Sequence, residues 1–195
     1  ASVAVIIGKK PLTITGVTAA SKTYDGTKNA DITSVTFDGV NLNRDTDYNV
    51  TASFDYASVD SGKNVTATVT LMGQAAKNYA LEQSNFPTTG SITKAAAPAL
   101  TAYQVTQKYS LKTEQTITLP DLKSLGMPDD AQVSDTNAFH SGSYSPAGRI
   151  QDGWGIDVNT GVITYALADG AAAGDVITFT LLVRSKNYED ATVTV

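Results

Sequence analysis

Along much of this chain apolar and polar residues take turns, one for one. The clearest run sets Val65, Ala67, Val69 and Leu71 against Asn64, Thr66, Thr68 and Thr70. Successive side chains of a strand point to opposite faces, so this run reads as a strand with one face buried and the other in water. Val50, Ala52, Phe54 and Tyr56 repeat the pattern against Thr51, Ser53 and Asp55. Ser61-Gly62-Lys63 carries turn chemistry just ahead of Asn64, and the two runs are expected to form a hairpin. In the later half, Trp154 to Thr164 reads as another hairpin, turning at Asn159-Thr160-Gly161. Trp154 shares parity with Ile156 and Val158, which places it on the core face of its strand. Asp175 to Val183 and Ala191 to Val195 read as a closing strand pair. No window of a dozen residues carries a helical stripe. Only Pro120 to Leu125, ahead of Gly126, suits a short helical turn, because proline is tolerated at a first helical position and glycine ends helices.

The elements therefore predict an all-β chain. Its 195 residues suit one large domain or two of about a hundred residues each, and the pattern favours two. Residues 2–13 echo residues 89–101: a β-rich segment, a lysine, a short spacer, a proline and then a new strand. Both stretches look like module junctions. The expected division is a first module over 1–94, a proline-stiffened linker over 95–98 and a second module over 99–195. Residues 1–8 are expected to be the end strand of a preceding repeat or an edge strand here. Charge follows the same division: 8 Lys+Arg face 8 Asp+Glu in residues 1–94, and 6 face 11 in residues 95–195. The net charge of −5, with no basic cluster, argues against nucleic acid, whose phosphates need grouped Lys and Arg. Cysteine is absent, which removes disulfides and Cys-based metal or redox sites. No apolar run is long enough to span a membrane.

The most informative stretch is Lys22-Thr23-Tyr24-Asp25-Gly26-Thr27, followed by Ala30-Asp31-Ile32 and closed much later by Lys77-Asn78-Tyr79-Ala80-Leu81. Asp25-Gly26 is first a backbone instruction, since Asp braces a turn and Gly accepts a positive φ. Together with Lys10-Pro11-Leu12-Thr13-Ile14 and the threonine-rich Val65–Leu71 strand, these pieces resemble the YDG domains found in tandem on bacterial surface proteins, over about residues 9–95. The resemblance implies a structural motif at Tyr24, Asp25, Gly26, Thr27, Asn78 and Tyr79. The hairpin from Trp154 and the closing pair resemble cadherin-like and related immunoglobulin-like bacterial modules over residues 99–195. Where calcium-binding cadherins carry an acidic motif after that hairpin, this chain reads Ala166-Leu167-Ala168-Asp169-Gly170, which argues against calcium. The fold expectation is two antiparallel, sandwich-like (Ig-like) β modules in tandem.

Little else assembles into a reactive centre. His140 is the only histidine. It is read as an exposed loop residue, because Ser141 and Ser143 lack the Gly-x-Ser-x-Gly elbow of a hydrolase. Asp129, Asp130 and Asp135, and again Asp152 and Asp157, could feed a calcium cage or a glycosidase pair. No Asp-x-Asp-x-Asp-Gly loop is present, and aspartates in turns commonly serve the backbone. No cofactor and no catalytic residue are expected. Trp154 is the natural ligand contact were the module to bind a glycan, with Tyr103, Tyr109, Tyr144 and Tyr165 as further aromatics that share no regular spacing. The functional expectation is a non-catalytic, rod-like monomeric spacer of a secreted or wall-displayed bacterial protein, partnered by neighbouring modules. Its rival is a module that binds carbohydrate or a host surface protein.

Overall fold

The computed structural model describes residues 4–133 and 138–195, with the backbone alone at 140 and 141. The chain divides into two compact units, Ala1–Thr93 and Lys94–Val195. Strands dominate both, as the alternation predicts.

The first unit runs β1 (Lys10–Leu12), β2 (Ile14–Ala19), β3 (Lys22–Thr23), β4 (Ile32–Phe37), β5 (Tyr48–Phe54), β6 (Asp60–Leu71), α1 (Gly73–Asn78), β7 (Tyr79–Leu81) and β8 (Asn85–Thr93). Its main sheet has the order β3-β8-β6-β5, with β2-β4 and β1-β7 as separate pairs. β5 and β6 are antiparallel in the register Val50↔Val69, Ala52↔Ala67 and Phe54↔Val65. The predicted apolar faces therefore lie side by side. Phe54, Val65, Ala67 and Val69 are buried, as are Ile14, Ile32 and Phe37 from the β2-β4 pair. Each large side chain so enclosed contributes about 1.5–3 kcal/mol. The threonines of β6 stay exposed, holding strand propensity on the wet face.

The second unit runs β9 (Glu114–Ile117), η1 (Asp129–Ala131), β10 (Phe139–Ser145), β11 (Gly155–Ile156), β12 (Ile163–Ala166), β13 (Thr178–Val183) and β14 (Ala191–Thr194). Two three-stranded sheets form, β10-β13-β14 and β11-β12-β9. Their apolar faces meet in one core that includes Ile117, Ile163 and Tyr165 from one sheet and Phe179, Leu181 and Val193 from the other. The closing pair is antiparallel with Leu181↔Val193. Ala95 belongs to this unit: its N–H donates to Asn187 O, and its carbonyl accepts from Glu189 N.

Several local expectations are corrected. Ser61-Gly62-Lys63 is not the hairpin turn but an irregularity inside β6, where the register with β8 shifts between Asp60 and Lys63. The true β5–β6 connection is residues 55–59. Tyr56 consequently lies past the end of β5 and is exposed rather than on the core face. Residues 4–9 form no edge strand, and Val5, Ile6 and Ile7 are 82%, 94% and 92% exposed. The new strand expected after Pro98 is not formed either: residues 101–110 carry no regular structure. A backbone alternates its side chains whether or not a neighbouring edge offers hydrogen bonds, so period two alone does not make a strand. The short helix α1 was unforeseen because six residues are too few to display a stripe, although Gln74-Ala75-Ala76-Lys77 are good helix formers. The turn expected over Pro120–Leu125 is present at residues 122–126. It closes by Gly126 N to Lys123 O and Met127 N to Leu122 O, the paired bonds of a glycine-terminated helical turn.

Candidate functional site

Tyr24-Asp25-Gly26-Thr27 follows β3, which pairs in parallel with β8 at one edge of the main sheet. Just past the turn, Phe54 N donates to Lys28 O and Ala30 N to Ala52 O, so residues 28–30 line the opposite edge, along β5. The signature thus carries the chain from one sheet edge to the other. Gly26 takes φ +76°, a conformation that costs a side-chain-bearing residue energy. Tyr24 is buried, and its N–H donates to Thr93 O. Asp25 Oδ1 accepts from Lys22 Nζ at 2.7 Å, Thr27 N at 2.9 Å and the Thr27 hydroxyl at 2.9 Å. Lys22 Nζ also donates to Thr27 O at 3.0 Å and lies 5.8 Å from the Phe54 ring centroid. The Lys22 ammonium, then the Thr27 N–H, hold the Asp25 carboxyl at about 2, below its ordinary 3.8. A carboxylate engaged by three donors is a brace for the turn and a poor general base.

Lys63 was missed as a site residue. It shares parity with Val65, Ala67 and Val69 and is buried with them. Its Nζ donates to Ser58 O at 2.7 Å and to Tyr56 O, and lies 3.3 Å from the Tyr56 ring centroid. Tyr56 donates its hydroxyl to Asp60 Oδ2 at 2.6 Å, and that bond pushes the phenol up to about 12. This cluster staples the 55–59 connection to the core face. Asn78 closes α1 and Tyr79 opens β7, where Tyr79 N donates to Ala75 O and Tyr79 pairs with Lys10. The same Lys-Asn-Tyr triplet recurs at 186–188, where buried Asn187 donates Nδ2 to Asp130 O at 2.6 Å and Tyr188 donates its hydroxyl to Asp130 Oδ1 at 3.0 Å.

In the second unit Trp154 is half-buried among rings. Its centroid lies 5.7 Å from Tyr144, edge-on, and 5.4 Å from Phe179. The β11–β12 hairpin beside it pairs Gly155↔Thr164 and Ile156↔Ile163. Its turn is braced by Asp157, whose Oδ1 accepts from Asn159 N at 2.9 Å and Thr160 N at 3.2 Å. Those two N–H groups lower the Asp157 carboxyl. The remaining acids disperse. Asp129 pairs with Lys123 at 2.8 Å, Asp130 serves Asn187 and Tyr188, Asp152 is exposed, and Asp135 lies outside the described residues. Among the described residues no three His, Asp or Glu come together as a metal-holding group. His140 lies on β10 rather than in a loop; its side chain and that of Ser141 lie outside the described residues.

The second unit also contains a cleft of about 660 Å³, between residues 102–109, residues 171–178 and the inner ends of both sheets. Tyr103, Tyr109 and Tyr165 line it together, although no sequence spacing joins them. Tyr144, the fourth aromatic of that group, packs instead against Trp154 and Phe179.

The geometry of the first unit is that of a β domain whose signature turn is locked by its own side chains. Residues 8–86 match the YDG domain family. The match begins one residue before the stretch read from the sequence and ends within β8. No curated protein matches the chain.

Proposed function

We propose that the chain is a non-catalytic structural spacer: two sandwich-like, immunoglobulin-like β units in a secreted or wall-displayed bacterial protein, acting as a monomer between neighbouring modules. The observation that carries this reading is the fate of the signature's polar atoms. Lys22, Asp25 and Thr27 spend their hydrogen bonds on one another and on the turn, as a part selected for staying folded does. The YDG match over 8–86 supports the same role by resemblance to tandem surface repeats. Calcium has no part in this proposal.

The test is a display experiment. An unrelated adhesive domain is fused after Val195, the chain is anchored at its N-terminal side on a cell surface, and capture of ligand-coated beads is scored. Replacing both units by a four-residue linker is expected to abolish capture, and an unrelated β pair of equal length to restore it. Capture that returns only with this chain's own units would refute a purely spatial role. A second reading, an accessory module that binds carbohydrate, is favoured by one observation: the tyrosine-lined cleft of the second unit.

A further inference from the structure

Where this chain does not consume its own polar groups is more telling than where it does. Among the described residues, the backbone N–H groups from Gln104 to Tyr109 find no acceptor, and neither does the Gln104 side-chain amide. Residues 104–109 line the cleft of about 660 Å³, a volume ordinary for ligand sites. In the same lining Tyr165 is buried, Tyr103 is half-buried and Tyr109 is 52% exposed. Tyr109 keeps its ring in place by donating its hydroxyl to Ala171 O at 3.4 Å.

We propose that this cleft binds a short neutral glycan, an inference that rests on the accessory-binding reading above. Aromatic faces give a pyranose ring an apolar platform, while amides and backbone N–H groups answer its hydroxyls. Charge is nearly absent from the lining. Lys108 is one ionised side chain there; the other, Asp175, is already engaged by Arg149 at 2.9 Å and by Ala172 N at 2.9 Å. An anionic or cationic ligand would find little to pair with. An extended peptide could also use free backbone groups, and the flanking edge strands β9 and β14, four residues each, offer it only a short ladder. The glycan site therefore moves from Trp154, whose ring is packed against Tyr144 and Phe179, to Tyr109 and Gln104.

The experiment is calorimetric titration of the whole chain with neutral tetra- to hexasaccharides of β-1,4-glucan, β-1,3-glucan, chitin, mannan and xylan, and with a Val/Thr-alternating hexapeptide. At least one oligosaccharide is expected to bind. Tyr109→Ala should weaken it about tenfold and Gln104→Ala about threefold, the losses typical of a stacking ring and of a hydrogen bond to a neutral group. Thr33→Ala, in the first unit, should leave it unchanged. Both cleft side chains are exposed, and unaltered circular dichroism and Trp154 fluorescence will verify that the variants fold. Binding that survives both cleft substitutions overturns the cleft assignment and leaves the accessory-binding reading standing. No binding across the panel overturns both. Binding of the hexapeptide alone overturns the glycan in favour of strand docking.

Discussion

If the signature turn is an electrostatic brace, neutralising Asp25 must weaken the first unit, and by an amount the geometry bounds. A carboxyl lowered from 3.8 to about 2 corresponds to about 2.5 kcal/mol of folded-state preference for the anion, were the whole effect felt. The Asp25 side chain is 51% exposed, however, against 19% for Lys22, and water screens a pair so placed. A discounted value of about 1 kcal/mol is the expectation for Asp25→Asn, which keeps an oxygen for Thr27 N and loses only the charge. Asp25→Ala also removes the acceptor that braces the turn and should cost about 2 kcal/mol. For a unit of this size, about 1 kcal/mol moves the melting midpoint by about 4–8 °C.

Trp154 is the only tryptophan and belongs to the second unit, which supplies an internal control. Scanning calorimetry of the whole chain should show one transition moving in Asp25→Asn, while the Trp154 fluorescence melt stays in place. The pH dependence follows from the direction of the shift. With the folded value below the unfolded one, the stabilisation is complete above about pH 4 and is lost as pH falls from about 4 to about 2. The gap between parent and Asp25→Asn should therefore close across that window. A midpoint unchanged at pH 7, or a gap undiminished at pH 2, would remove the brace and leave the signature needing another explanation.

Other substitutions probe the remaining contacts. Lys63→Met strips the donor from Tyr56 O and Ser58 O and should cost about 2 kcal/mol, with faster proteolytic cleavage within residues 55–59; unchanged stability and cleavage would show the buried ammonium to be dispensable. Gly161→Ala forces a side chain onto φ +71°, with its Cβ 2.6 Å from the Phe139 ring, and should lower the Trp154-monitored transition by about 2–3 kcal/mol. An unchanged melt would mean that the hairpin end adjusts freely. The Asp157 carboxyl, observed by carbon NMR, should titrate below the ordinary aspartate value of 3.8, and an ordinary midpoint would deny the turn bonds to Asn159 and Thr160.

The parts of the fold legible in the sequence are those where one rule acts alone. Val65, Ala67 and Val69 alternate, face a partner strand and are buried; nothing competes with period two there. Around Lys63 two rules conflict. Lys63 has the parity of Val65, Ala67 and Val69, but the Ser-Gly-Lys composition reads it as part of a turn, while alternation alone puts Tyr56 on the core face. The chain resolves the conflict by ending β5 at Phe54 and folding Tyr56 back over the ammonium, so that the loop's own carbonyls solvate the charge it covers. That outcome depends on where the chain turns between β5 and β6, and the Ser-Gly-Lys composition points to the wrong place. The signature turn was legible as a turn, but the role of Lys22 was not, because a lysine three residues before an aspartate is ordinary in any exposed loop. The cleft was the least legible feature. Its tyrosines come from residues 103, 109 and 165 and meet only because residues 101–110, alternating as a strand would, stay out of both sheets. The same fact gives the cleft its interest. Asp25, Asp157, Lys63 and Asn187 each spend their polarity on a nearby backbone group, and that economy is how a cysteine-free β chain holds its turns. A stretch of backbone from Gln104 to Tyr109 left outside it, beside two exposed or half-exposed rings, is where an outside ligand has something to add.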